Sequence, residues 1–94
     1  MMLVPRWSSI EDDDRMTNAT INWYEEVQEV TALLGTDVPF LYLNFADQFQ
    51  DPLGSYGASS VEFMQRVAKK YDPAGVFQTL IPGGFKISKA GEVA

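Results

Sequence analysis

Met16, Thr20, Trp23, Val27, Val30 and Leu34 recur at steps of four, three, four, three and four residues. That is the repeat of one face of an α-helix. Ser8 or Ser9 can cap this helix, and Glu11, Asp12, Asp13 and Asp14 fall in its first turn, where negative charge is favoured. Gly35 stands where a helix of this length should stop, since glycine enters the left-handed conformation that closes a C-terminus. Before the helix, Leu3-Val4-Pro5-Arg6-Trp7 reads as a short strand, with Pro5 suited to an edge or a strand end. After it, Thr36-Asp37 makes a turn and residues 39–45 read as a strand. The apolar side chains of that strand point both ways, which predicts burial on both faces.

A polar loop, residues 46–57, leads to a second helix. Ser59 and Glu62 have the spacing of a capping box. Phe63, Met64, Val67 and Tyr71 supply an apolar face, and Lys69 and Lys70 suit the last turn. Asp72-Pro73-Ala74-Gly75 ends the helix with turn chemistry, and residues 76–87 read as an extended tail interrupted by Pro82-Gly83-Gly84. The expected class is α+β: strand, helix, strand, helix and extended C-terminal tail, a partial substrate domain with residues 1–39 and 40–94 as its two parts. Two strands make a poor sheet, and a strand apolar on both faces asks for more covering layers than 94 residues supply. The sequence looks incomplete.

Composition narrows the chemistry. With 46% hydrophobic and 13% aromatic residues the chain is too apolar for disorder. A net charge of −6 argues against a nucleic-acid partner, which needs clustered Lys and Arg. There is no Cys and no His, so thiolate nucleophiles, disulfides, imidazole bases and the commonest zinc ligands are excluded. The run from Glu11 to Asp14 reads as a solvated helix N-terminus in preference to a metal site. No stretch approaches the apolar length of a membrane span, and residues 1–9 lack the pattern of a signal peptide, so nothing here predicts export and the compartment is left open.

Several blocks in order carry a family resemblance: Tyr42-Leu43-Asn44-Phe45-Ala46-Asp47, Gln50-Asp51-Pro52, Ser55-Tyr56-Gly57, Val67-Ala68-Lys69-Lys70-Tyr71-Asp72-Pro73, Gly75-Val76-Phe77-Gln78 and Pro82-Gly83-Gly84-Phe85-Lys86. Residues 40–87 resemble the berberine-like C-terminal module of FAD-linked oxidoreductases with a PCMH-type flavin domain, particularly the fungal ones. Residues 7–34 are similar to the strand and helix that precede it. The resemblance implies FAD as cofactor, a small organic substrate oxidised by hydride transfer to the flavin, and a flavin-binding domain or chain as partner. Chemistry in such enzymes belongs largely to the flavin, with the protein orienting the substrate. Nothing here corresponds to the flavin domain, so the resemblance implies a segment inactive on its own.

The resemblance points to Asn44 and Phe45 as the cofactor-facing positions. Phe45 stands where the family often has a Tyr base, so no catalytic residue carries over, and Ser60 stands where the family often has Asn. An Asn in an apolar strand must find hydrogen-bond partners, which a flavin edge or neighbouring backbone could supply. Strict strand alternation would put Tyr42 and Asn44 on one face and Phe45 on the other. The competing reading is a non-catalytic interaction module, whose exposed apolar strand binds another protein or a second copy of itself. Pro82-Gly83-Gly84 reads as a turn, because no helix follows it to hold a phosphate.

Overall fold

The computed structural model describes residues 1–92, which form two compact units: residues 1–38, and Pro39 onward. The first is built on one long helix, α1 (Asp13–Leu34), entered through a single 3₁₀ turn at Ile10–Asp12. Ser9 is the cap: its Oγ accepts the Glu11 N–H at 3.3 Å. Asp13 and Asp14 stand in the first turn, where unpaired N–H groups favour negative charge. Thr20, in the apolar stripe, and Thr31, beside it, carry no polar penalty. Each hydroxyl donates to the carbonyl four residues back, Met16 and Val27, at 2.9 Å. Gly35 ends α1 at φ 64, ψ 30, the left-handed conformation that glycine adopts without strain. Thr36 N–H then reaches back to the Thr31 carbonyl at 2.9 Å.

The second unit holds α2 (Ala58–Tyr71) and the short helix α3 (Val76–Thr79), with 3₁₀ turns at Leu43–Phe45, Gly54–Tyr56 and Ile87–Lys89. α2 packs against the last two of these turns. Its small core is Pro52, fully buried, with Val61 and Ala90. The tail returns to this core through three side chains. Asp51 Oδ2 accepts the Gly91 N–H at 2.6 Å, Gln78 Oε1 accepts the Ser88 N–H at 3.1 Å, and Gln65 Nε2 donates to the Ile87 carbonyl at 3.3 Å.

The α+β expectation is overturned: among the described residues there is no strand and no sheet. A strand is stabilised by a ladder to a neighbour, and neither apolar segment finds one. In the first, Trp7 Nε1 donates instead to Asp13 Oδ1 at 2.6 Å, which fastens the arm to the start of α1. In residues 39–45, the Leu41 N–H goes to Ser55 Oγ at 3.0 Å, and the Phe45 N–H folds back to the Tyr42 carbonyl at 3.0 Å. The second bond closes a turn, and the first ties the segment to the loop fourteen residues on, so neither leaves an N–H for a ladder.

Two smaller expectations are also corrected. The Ser59–Glu62 capping box does not form, because α2 begins two residues earlier than that box requires, at Ala58, with Gly57 as N-cap and no side-chain cap. The extended tail from 76 is helical at its start: Gly75 is the N-cap of α3, and the missing acceptor comes from Asp72, three residues earlier. Its two carboxylate oxygens accept the N–H groups of Val76 and Phe77 at 2.8 and 2.9 Å. The two expected helices are observed, as is the Gly35 stop.

Candidate functional site

Tyr42, Asn44 and Phe45 come together because their backbone is a 3₁₀ turn. In a 3₁₀ turn residues three apart eclipse one another, so Tyr42 and Phe45 share a side. Their rings meet edge to face, centroids 5.1 Å apart at 80°. Asn44 Nδ2 donates to the Tyr42 hydroxyl at 3.0 Å. The alternation expected of a strand, which would separate Phe45 from Tyr42, is therefore reversed. The Asn44 amide finds its partner in a phenol two residues away.

The loop that follows supports this turn. Ser55 Oγ accepts the Leu41 N–H and donates to the Pro52 carbonyl at 2.6 Å, and Phe40 stacks edge-on against Tyr56 with centroids 5.5 Å apart. Asp51 organises the loop itself. Its Oδ1 accepts the Gly54 N–H at 2.9 Å while Oδ2 holds Gly91. Gly54 has to be glycine: a Cβ there would overlap the Asp51 carboxylate and lie 3.1 Å from the Gly91 nitrogen.

Asp51 and Ser55 are the residues that sequence reasoning undervalued. A signal existed, because Asp51-Pro52-Leu53-Gly54 and Asp72-Pro73-Ala74-Gly75 share the form Asp-Pro-x-Gly. An Asp at the head of a turn folds its carboxylate back onto downstream N–H groups. Both do so here.

Tyr42 and Phe45 are 53% and 66% exposed, and Asn44 is exposed too, so the turn offers an aromatic edge and a phenol but encloses nothing. Those residues fit a contact with the rim of a planar ring. They do not fit a whole dinucleotide. The Pro82-Gly83-Gly84 bend leads into an irregular segment, with no helix N-terminus for a pyrophosphate. Ser60 lies exposed in the first turn of α2. Among the described residues, no helix is long and apolar enough to cross a membrane, and no group of three or more acidic side chains is placed to hold a metal ion.

Comparison with known proteins gives this geometry its context. Neither a family model nor a solved structure matches. Curated relatives do. The FAD-dependent monooxygenase drtC of Aspergillus calidoustus is 45% identical over 83 residues, 88% of this chain. The FAD-dependent monooxygenase sdcF of Emericella nidulans is 40% identical over 84 residues, 89% of the chain. The bifunctional solanapyrone synthase of Alternaria solani is 41% identical over 81 residues, 86% of the chain. These matches cover 16%, 18% and 16% of the relatives' own lengths, so the chain spans about a sixth of the proteins it resembles. Over most of its length the chain is thus related to segments of fungal FAD-linked oxidoreductases.

Proposed function

We propose that this chain is a C-terminal, berberine-like segment of an FAD-linked oxidoreductase that oxidises a small organic substrate by hydride transfer to the flavin, and that it is inactive alone. The 45% identity to the drtC monooxygenase across 88% of the chain carries this reading. The exposed turn at Leu43–Phe45 supports it, because an edge that contacts a ring held elsewhere has to be open in the segment itself. When bound, FAD would accept the hydride. Asn44 and Phe45 would then lie at the flavin and help exclude water from it. Tyr42 would hold the Asn44 amide in place through its hydroxyl.

The test uses two proteins. The isolated 94-residue chain is titrated with FAD, and a chimera is made in which these residues replace the matching 83-residue stretch of drtC. The expectation is no tight binding by the chain, and a yellow chimera that oxidises the substrate of drtC. Micromolar or better FAD affinity in the isolated chain, or a colourless chimera, would overturn the reading. A second reading, a non-catalytic protein-interaction module, is favoured by the exposure of large apolar side chains such as Leu33, Tyr71 and Leu80. A chimera that folds and holds FAD but turns over no substrate would select it.

A further inference from the structure

The charges of this chain are divided unequally between its two units. Residues 1–38 carry two arginines against eight carboxylates, which is the whole of the net charge of −6, and the remainder is neutral. From Met16 to Gln65 there is no Lys or Arg at all. The C-terminal half of α1 lies inside that stretch. It carries Glu25, Glu26 and Glu29, with Asp37 just beyond, and its last turn has no cation. A helix C-terminus is already the negative end of the backbone dipole, where cations belong. Glu25 and Glu29 are one turn apart, as are Glu26 and Glu29, so like charges face each other along the helix. α2 is the contrast within the same chain, with Lys69 and Lys70 in its last turn and Arg66 and Lys70 over the rings of Phe63 and Tyr71.

The same part of α1 is apolar and open. Val30 is 54% exposed, Leu33 87% and Leu34 70%. Glu26, Glu29, Val30 and Leu33 are related by steps of three and four, which puts carboxylates and apolar side chains on one helix face. Surface area points the same way. The chain exposes 7625 Å², whereas a compact monomer of 10.5 kDa would expose about 5,400 Å². Two separately compact bodies of about 4 and about 6 kDa would still expose only about 6,500 Å². The surplus over that figure is about 1,100 Å², enough for one side of a standard interface of about 800 Å².

We propose that the C-terminal half of α1 docks on a polypeptide surface with an apolar centre and a rim of Lys or Arg. Resting on the function proposed above, that surface belongs to the part of the flavoprotein outside these 94 residues. Val30, Leu33 and Leu34 fill the centre, while Glu25, Glu26, Glu29 and Asp37 pair with the rim. A second copy is a poorer occupant of the same face, because two such ends repel each other. An anionic lipid surface is excluded by the same sign of charge.

The experiment compares one set of substitutions in two settings, the isolated chain and the drtC chimera. Glu25→Gln, Glu26→Gln and Glu29→Gln together remove like-charge repulsion and relieve the dipole, so the melting midpoint of the isolated chain should hold or rise. In the chimera the same three changes should lower the midpoint by several degrees, and salt at about 0.5 M should narrow the gap by screening the rim pairs. Leu33→Ser with Leu34→Ser should leave the isolated chain unchanged and loosen flavin retention in the chimera at least tenfold. Glu62→Gln, on α2, serves as the control and should do nothing in either. A chimera that holds FAD, yet gains or keeps stability with the three Gln changes, overturns the docking proposal alone. An unsubstituted chimera that cannot hold FAD overturns the functional reading and the docking with it.

Discussion

Removing the Asp51 carboxylate with Asp51→Ala should release the tail. That carboxylate accepts two backbone N–H groups, Gly54 at 2.9 Å and Gly91 at 2.6 Å. Hydrogen bonds to a charged group contribute about 1.5–3 kcal/mol each. The Gly91 bond is exposed and the Gly54 bond half-buried, so the low end applies and the pair is worth about 2–4 kcal/mol. A small domain has about 5–15 kcal/mol in total. With Val61, Ala90 and Pro52 the only well-buried residues of the second unit among those described, the low end is again the right comparison. The substitution therefore removes a large share of the stability of this unit. Amide hydrogen exchange gives the direct measurement. Gly91 should lose protection first, followed by Ser88, while Val27 in α1 is unchanged. Asp51→Asn keeps one acceptor and should fall between. Unaltered Gly91 protection in Asp51→Ala, with the urea midpoint unmoved, would refute the clasp.

Three further outcomes are expected. Gly54→Ala should destabilise about as much as Asp51→Ala because its Cβ evicts the same carboxylate, and the double substitution should cost clearly less than the sum, read from urea midpoints. Asp72→Ala should loosen the start of α3 at a cost of about 1–2 kcal/mol, because two exposed hydrogen bonds to a carboxylate are lost. It should be seen as faster exchange at Val76 and Phe77 with α2 intact. Phe45→Tyr should change folding stability by less than about 0.5 kcal/mol, because the ring is 66% exposed. In the drtC chimera it should speed flavin reduction by about 10²–10⁴-fold for substrates that must lose a proton. An unchanged rate in a folded variant would show that Phe45 does not face the reacting carbon.

α1 could be read from the sequence because its signals are local and agree. The stripe from Met16 to Leu34, the Ser9 cap and the Gly35 stop each stand within a turn of the residues they act on. Residues 39–45 could not. Phe40, Leu41, Tyr42, Leu43 and Phe45 make a run whose periodicity suits a buried strand equally well, and what decides the matter lies ten or more residues away. Ser55 takes the Leu41 N–H that a ladder would have used. The site shows the same division. Asn44 and Phe45 stood out as residues, but their joining to Tyr42 depends on the turn. Of the two Asp-Pro-x-Gly stretches, 72–75 was legible as a turn and 51–54 only as part of a polar loop. That one of them would also hold Gly91, forty residues on, was not, because nothing local encodes it.

The clasp on the tail is made to main-chain atoms only: the Gly91 and Ser88 N–H groups and the Ile87 carbonyl. A main-chain contact is blind to side-chain identity, so Ile87 and Ser88 are free to drift under mutation as far as these bonds are concerned. Gly91, with its positive φ of 80, is held by its backbone conformation instead. Length is another matter. Inserting or deleting one residue between Ser88 and Gly91 would put the Gly91 anchor out of register with the other two. Natural variants of this segment should therefore differ from one another by substitution in the tail and scarcely ever by a gap.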